Sequence, residues 1–336
     1  MMKHNNPISM NTPIEGDYIY SRGVGYLAVK GVIHPPQRIV AYPKYPEHKG
    51  IITKISSIEE AYAYLRERMP EAILFDDHSG QVLPQIPIEK ITRHVSAKAW
   101  FKNNRPTDEV TRLSAELAEM ISRYSGIDLE AVGLTGSALL GLQKPTSDID
   151  LVFYSMKNAP AVIDALSTMR KEGKTRPVDI SHSHDIATKR SDSAVTLEDW
   201  IKHESRKLLY GTYRGVVYSA KVVPLPEEYW EPYGSAMWRE FGRAVLVAEV
   251  TDDSYSIYTP NMYGIRVIEI IRGPEEGYRC RAVASFRSRF AEQARSGEVV
   301  KISGRLEYDL KSKNYRIFIG NHRDDYILRH DNTTHD

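Results

Sequence analysis

The sequence contains little cysteine and carries almost no net charge. Cys280 is the single cysteine among 336 residues, so the sequence excludes an internal disulfide and is typical of a reducing compartment. The 45 Lys and Arg residues are balanced by 44 Asp and Glu residues, which leaves no overall basic signature of nucleic-acid binding. From these two absences we expect a cytoplasmic protein.

Long apolar runs are also missing. No stretch approaches the roughly 20 apolar residues of a membrane-spanning helix, and residues 1–11 lack the apolar core of a signal peptide. We therefore expect no membrane partner. Phenylalanine is scarce, with 7 residues against 21 Tyr, and abundant Tyr is typical of half-buried strands, so the count alone does not indicate a base-stacking surface.

The most informative segment is residues 133–151, in which a Gly-Ser pair precedes an Asp-Ile-Asp triplet. The apolar residues of 132–134 predict a short buried strand that ends at Gly136 and Ser137, and residues 138–142 predict the first turns of a helix. Gly136 has no Cβ, so a backbone or a phosphate can approach it closely. Ser137 and the free N–H groups of the helix start are suited to holding an anion.

The triplet predicts a second strand over residues 148–153. Because strand side chains alternate in direction, Asp148 and Asp150 share one face and the apolar residues share the other. Two neighbouring carboxylates are costly unless a cation neutralises them. A pair of Mg²⁺ ions roughly 3.5–4 Å apart is the common solution in phosphoryl and nucleotidyl transfer.

This segment resembles the active-site signature of the DNA polymerase β-type nucleotidyltransferase superfamily. The matching residues are Gly136, Ser137, Asp148 and Asp150. The resemblance implies transfer of a nucleoside monophosphate from a nucleoside triphosphate to an acceptor hydroxyl, with release of pyrophosphate. It places the β- and γ-phosphates over Gly136 and Ser137, and Mg²⁺ or Mn²⁺ at the two aspartates. The competing interpretation is a strand-entry turn with a solvated face, which leaves the Gly-Ser pair unexplained.

Enzymes of this superfamily usually carry a third carboxylate on a following strand. Asp179, within a strand predicted near residues 176–180, is the candidate for this catalytic and metal-binding role; the alternative is that it caps a loop. The later strand that contains Lys221 offers no acid. Arg206 and Lys207 are candidates for binding the triphosphate, although stabilising the end of a predicted helix is a sufficient structural reason for them.

The whole chain is also similar to an archaeal family of predicted nucleotidyltransferases. The shared motifs flank the central one and are Gly31-x-x-His34-Pro35-Pro36-x-Arg38, Arg206-Lys207 ahead of Gly211-x-Tyr213-x-Gly215, Gly242-Arg243-Ala244 and Gly297-Glu298-x-Val300. The resemblance implies a fold and a reaction class, and it names no substrate.

We predict an α+β protein in three domains. Residues 1–103 form an N-terminal α+β domain, residues 104–234 a polymerase β-type nucleotidyltransferase core, and residues 235–330 a β-rich domain. Five short apolar runs in the last part favour a small antiparallel barrel, for which an OB-fold is one candidate. Helices are predicted near 58–68, 108–124, 159–171 and 197–210.

The acceptor stays open at this level. The candidates are an RNA or DNA 3′ end, a protein hydroxyl and a small molecule, and the additional domains favour a macromolecular acceptor by analogy. Basic residues of the last domain are the candidates for guiding a nucleic acid, unless they form ordinary surface ion pairs: Arg279, Arg281, Arg287, Arg289, Lys301 and Arg305. The non-enzymatic alternative is a nucleotide or nucleic-acid binding protein that retains the fold. The sequence does not indicate an oligomeric state.

Overall fold

The structure is a computed structural model that describes residues 12–48, 50–98 and 100–330. The interpretation of residues 1–11 as lacking a signal peptide therefore lies outside the described residues. The described strands form three sheets, and helices pack chiefly around the middle one. Within the described ranges, no helix is long and apolar enough to cross a membrane. The predicted mixture of helices and sheets is confirmed.

The first sheet is antiparallel and is built from the N-terminal part of the chain. Its strands are β1 (Tyr18–Ser21), β2 (Gly25–Val29), β3 (Arg38–His48), β4 (Ile51–Ile52), β5 (Ile73–Asp76), β6 (Gln81–Pro87) and β7 (Ile91–Val95). They are ordered β5-β6-β3-β2-β1-β7, and β4 pairs with β3. Helix α1 (Ile58–Arg68), predicted near 58–68, is capped by Ser57, whose side chain accepts a hydrogen bond from the Glu60 N–H.

The middle part alternates helices and strands. Its elements are α2 (Trp100–Asn103), α3 (Glu109–Ser125), β8 (Val132–Leu134), α4 (Gly136–Leu139), β9 (Ile149–Tyr154), α5 (Ala159–Lys171), α6 (Ser183–Lys189), α7 (Leu197–Glu204), β10 (Tyr210–Tyr213) and β11 (Val216–Val223). The sheet order is β10-β11-β9-β8. Strands β9 and β11 run parallel, which places their side chains in direct register.

Helix α3 shows how the sequence determines a boundary. Asp108 accepts the Thr111 N–H while the Thr111 hydroxyl accepts the Asp108 N–H, which satisfies two free donors at the start of the helix. Gly126 ends it in the left-handed region, with φ 71°. Leu117 and Ile121 are fully buried on the face that packs toward the middle sheet.

The C-terminal part is almost entirely strands. They are β12 (Trp238–Asp252), β13 (Asn261–Arg272), β14 (Cys280–Ser285), β15 (Val299–Asp309), β16 (Tyr315–Phe318) and β17 (Tyr326–Arg329). The sheet order is β12-β13-β14-β16-β15-β17, and β12 also pairs with β15. The pair β14–β16 is parallel and the other neighbours are antiparallel.

Two expectations for the middle part are wrong in detail, and two further elements were missed. The strand predicted near 176–180 is reduced to one bridge between Arg176 and Thr212, because residues 177–179 have no strand partner. The helix predicted over 197–210 ends at Glu204, since its chain turns into β10. Helix α6 and strand β17 were not predicted.

The apolar core consists of three clusters. One contains only residues of the N-terminal sheet and α1 region, from Ile19 to Ile91. A second joins the middle sheet and its helices to Tyr258 and Ala291. A third joins the C-terminal strands to residues of the middle part, including Trp200. Two clusters therefore cross residue 234, and the domain boundaries stay predictions.

Candidate functional site

Strand β8, the turn after it and strand β9 bring the Gly-Ser pair to the second aspartate. The Thr135 N–H donates to the Asp150 backbone oxygen at 3.0 Å, which ties the turn to β9. Gly136 adopts φ +69° and packs against the Asp150 carboxylate, which occupies the space that a Cβ would need. Ser137 follows, and its Oγ lies 3.4 Å from the Ser147 Oγ.

Asp150 is held from the neighbouring strand. The Ser219 hydroxyl donates to Asp150 Oδ1 at 2.6 Å, because the parallel register of β9 and β11 pairs these two residues. Lys221 lies two positions further on β11, so its side chain shares the face of Ser219. The strand beside the aspartates thus carries a hydroxyl and an ammonium group on this face.

Asp148 precedes β9 and forms an ion pair with Lys189 at the end of α6. Lys189 also contacts Asp185, with 2.9 Å between Nζ and Oδ2. Burial raises the pKa of the Asp148 carboxyl to about 6, and repulsion from Asp150 adds to the shift while Lys189 opposes it. The two motif carboxylates therefore lie near enough to repel one another, although Asp148 lies just before β9 and not on it. That they share a metal stays a prediction.

The two carboxylates fit a hard divalent cation bound together with a phosphorylated substrate. Mg²⁺ is usually bound by one or two carboxylates and completes its shell with phosphate oxygens and water. Asp148 is half-buried and repelled by Asp150, which is the electrostatic setting that a cation relieves. In the part of the chain that the structure describes, no group of three or more His, Cys, Asp or Glu side chains could hold a metal.

Asp179 does not join the two motif aspartates. It caps a short 3-10 turn, where its side chain accepts hydrogen bonds from the Ser181 N–H and hydroxyl, and it contacts His182. Its side chain is 68% exposed. Hydrogen bonds from Ser181 lower its pKa. The placement corresponds to the alternative considered for it, a residue that caps a loop.

Arg206 and Lys207 connect α7 to the C-terminal part. Arg206 pairs with Glu298 at 2.5 Å. Lys207 is buried, pairs with Glu204 at 3.0 Å and donates to the Arg289 backbone oxygen at 2.6 Å. Both cations therefore have protein partners. Neither of them lines the wall of a cavity that opens next to Asp150.

A buried ion cluster that sequence reasoning missed adjoins the site. Glu15 pairs with Lys221 at 2.8 Å and with Lys30 at 3.2 Å, and accepts the Gly31 N–H at 3.0 Å. Burial acts to raise the pKa of Glu15, but Lys221 and Lys30 outweigh it and lower the pKa to about 2. No local pattern could reveal this cluster, because 206 positions separate Glu15 from Lys221.

A cavity of about 400 Å³ opens beside Asp150. Its walls come from all three parts of the chain: Gly136, Asp150 and Lys221 from the middle part, Lys44 among others from the N-terminal sheet, and Arg287 among others from the loop after β14. Neither Ser137 nor Asp148 lines it. The cavity therefore reaches the motif from the side of Asp150.

Comparison with known families finds a similarity in this same segment. Residues 114–203 match the family model of the nucleotidyltransferase domain. The matched range contains Gly136, Ser137, Asp148 and Asp150, so the resemblance on which the sequence interpretation depended is confirmed.

A particular relative extends the similarity beyond this range. The chain is 25% identical over 332 residues to an uncharacterised protein of Methanocaldococcus jannaschii, which covers 92% of this chain and 95% of that protein. This similarity along almost the whole length is consistent with the archaeal family noted from the flanking motifs. No solved structure matches the chain significantly.

Proposed function

We propose that the protein is a metal-dependent nucleotidyltransferase that moves a nucleoside monophosphate from a nucleoside triphosphate to an acceptor hydroxyl. The observation that carries this proposal is the contact between Asp150 and Gly136 at the wall of a cavity, inside the matched nucleotidyltransferase segment. That arrangement puts a carboxylate, a closely approachable turn and room for a second substrate in one place.

The turn at Gly136 and Ser137 would receive the β- and γ-phosphates. Gly136 leaves the backbone accessible, and the N–H groups that begin α4 have no partner within that helix. Asp148 and Asp150 would hold Mg²⁺ or Mn²⁺ with the help of phosphate oxygens. When bound, the cation neutralises the two carboxylates and stabilises negative charge on the phosphates.

The reaction balances without another reagent. The acceptor oxygen forms a bond to the α-phosphorus, and the bond from that phosphorus to the oxygen bridging to the β-phosphate breaks. Pyrophosphate leaves and the hydroxyl proton passes to solvent. In this proposal Ser219 orients Asp150 through its hydrogen bond, whereas Asp179, Arg206 and Lys207 serve the fold.

The finer architecture belongs to the same proposal. The circuit of pairings through β12, β13, β14, β16 and β15 supports an OB-like barrel, because an OB-fold is a five-stranded Greek-key barrel. The proposal also includes three domains, near residues 1–103, 104–234 and 235–330, and a cytoplasmic location.

A nucleic-acid acceptor receives limited support. Of the six basic residues expected to guide it, Arg287 and Arg289 line the cavity, whereas Arg305 pairs with Glu307.

The test is pyrophosphate release from each of the four nucleoside triphosphates with Mg²⁺ or Mn²⁺. The matched variants are Asp148→Asn and Asp150→Asn, with the exposed Asp164→Asn on α5 as control. We expect both motif variants to lose release by about a hundredfold or more and the control to keep it. Full activity in Asp150→Asn would overturn the proposal.

A second candidate is a nucleotide-binding protein without catalysis. Ser219 and Lys221, rather than an acid, face Asp150 from β11, and this observation favours it. Binding of a nucleoside triphosphate that depends on Asp148, with no pyrophosphate released under any acceptor mixture, would select this alternative.

A further inference from the structure

The cavity beside Asp150 has a strongly basic wall. Seven Lys and Arg side chains line it: Lys30, Lys44 and Lys54 from the N-terminal part, Arg190 and Lys221 from the middle part, and Arg287 and Arg289 from the C-terminal part. The lining acids are Asp76 and Asp150, and Asp76 accepts the Tyr233 hydroxyl at 2.7 Å. The cavity thus presents more positive than negative side chains.

The protein neutralises only part of this positive charge. Lys30 pairs with Glu15 at 3.2 Å. Arg287 and Arg289 share one carboxylate, that of Asp192, so two cations have a single counter-charge. Glu15 also pairs with a second lysine, Lys221. Glu15 and Asp192 therefore each balance two cations.

Lys44 has no carboxylate partner among the described residues. Its ammonium group donates to the backbone oxygen of Ile55 at 2.9 Å. Burial lowers its pKa to about 8, and repulsion from Lys54, Lys30 and Arg287 adds to the shift. The three neighbours reach Lys44 from both the N-terminal sheet and the loop after β14, and an anion among them would relieve this repulsion.

Buried donors on the same walls also lack partners. Only 6% of Arg289 is exposed, yet its Nε and Nη2 groups make no hydrogen bond within the described residues. The Nε2 of Gln81 and the Oγ of Ser79, both on buried lining residues, are likewise unpartnered there. Unsatisfied buried donors cost stability, and a ligand with several acceptor oxygens is one way to satisfy them.

We propose that this cavity binds the phosphate group of a small phosphorylated acceptor, whose free hydroxyl then faces Asp150. The inference rests on the proposed function for the reaction that follows. The donor phosphates are assigned to Gly136 and Ser137, and the cavity includes Gly136 and Asp150 but neither Ser137 nor Asp148. A ligand in the cavity therefore reaches Asp150 without contacting Ser137 or Asp148.

The size of the cavity supports a small molecule. Its volume of about 400 Å³ lies within the usual range for small-molecule sites, and its walls come from three parts of the chain. A sugar phosphate or a mononucleotide has both required groups, a phosphate for the basic wall and a hydroxyl for transfer.

The experiment measures binding to the full chain by calorimetry, without metal and without triphosphate. The probes are inorganic phosphate, ribose 5-phosphate and its unphosphorylated match, ribose. We expect both phosphate probes to bind and ribose not to bind. Lys44→Gln should weaken ribose 5-phosphate binding by about tenfold or more, because a hydrogen bond to a charged group is lost. The exposed Lys90→Gln is the control and should bind as the unchanged protein does.

Thermal unfolding of each variant shows whether it is folded. If Lys44→Gln fails to fold, the exposed Lys54→Gln replaces it and should weaken binding in the same direction. Equal binding of ribose and ribose 5-phosphate, or binding unchanged in the folded variants, would overturn the inference. So would a single-stranded oligonucleotide that binds more tightly than either phosphate probe in a Lys44-dependent way, since that result assigns the wall to nucleic acid.

Failure of the proposed reaction gives a different result. If phosphate binding depends on Lys44 but the protein never releases pyrophosphate, the result supports the anion site and contradicts the proposed transfer reaction. If Lys44→Gln still releases pyrophosphate and its KM for every phosphorylated acceptor tried is unchanged, the result supports the transfer reaction and contradicts the proposed acceptor site.

Discussion

A Cβ atom on Gly136 would lie 2.2 Å from Oδ2 of Asp150. Real Cβ atoms do not approach an oxygen so closely, so even alanine at this position must displace the carboxylate. The glycine of the motif is therefore required by the position of the second aspartate, in addition to any ligand that approaches the turn.

Gly136→Ala should reduce nucleotidyl transfer by about a hundredfold, because displacing a catalytic group by about 1 Å has effects of that size. Gly141→Ala is the matched control: Gly141 has φ +68°, close to the +69° of Gly136, but a Cβ there would contact nothing within 4 Å. Both changes should cost about 1–2 kcal/mol of stability from backbone strain. Steady-state pyrophosphate release and urea unfolding measure the two effects, and equal activity loss in both variants would contradict the explanation.

Ser219→Asp should create a third carboxylate beside Asp150, because the Ser219 Oγ already lies 2.6 Å from Asp150 Oδ1. Without metal, repulsion should lower the Tm. Added Mn²⁺ should raise the Tm of this variant more than that of the unchanged protein. Ser219→Asn, which has the same shape and no charge, should show no additional gain. A Tm response to Mn²⁺ equal in the two variants would mean that residue 219 does not face the metal-binding carboxylates.

Lys189→Gln should bind Mn²⁺ more tightly in the absence of nucleotide. The ammonium group of Lys189 pairs with Asp148, so it competes with a cation for that carboxylate. Removing this charge should improve affinity by about tenfold in a calorimetric titration. Lys171→Gln, at an exposed position at the end of α5, should leave the affinity unchanged. Weaker Mn²⁺ binding in Lys189→Gln would show instead that Lys189 supports the site.

Glu15→Gln should destabilise the protein by about 3 kcal/mol at pH 7, since the pKa of Glu15 falls from 4.5 to about 2 on folding. A lowered pKa stabilises the folded state above pH 4.5, and this contribution is lost as the pH falls toward 2. The difference in unfolding free energy from the unchanged protein should therefore shrink by about 1 kcal/mol between pH 7 and pH 3.5.

Urea unfolding at the two pH values measures this difference. Glu89→Gln, at an exposed position in the N-terminal part, is the control and should show little effect at either pH. A difference for Glu15→Gln that grows on acidification would contradict the assigned direction.

Local chemistry made several parts of the fold predictable. The helix predicted over 108–124 is α3, because Asp108 and Gly126 supply its first and last hydrogen-bonding requirements. The helix predicted over 159–171 is α5. The strand predicted over 148–153 corresponds to β9, which begins one residue later, at Ile149, and its pattern is complete within six residues.

The remaining parts depend on pairings between distant segments. The parallel register of β9 and β11 decides that Ser219 and Lys221, not Asp179, lie beside the motif. Asp179 is flanked by apolar residues, as a strand residue would be, but its segment has no partner strand and turns into a helix instead. Lys44 and Arg287 meet only because two separate sheets enclose one cavity, and nothing in their local sequence indicates this.

The cavity also bears on the order in which the protein is made. The N-terminal sheet has an apolar cluster of its own between residues 19 and 91, so it can collapse while the rest of the chain is still on the ribosome. The basic wall is complete only when Arg287 and Arg289 have emerged, long after Asp148 and Asp150. A nascent chain that already carries Asp148 and Asp150 therefore lacks the C-terminal side of the cavity, and the order of translation separates the appearance of the motif from the completion of the basic wall.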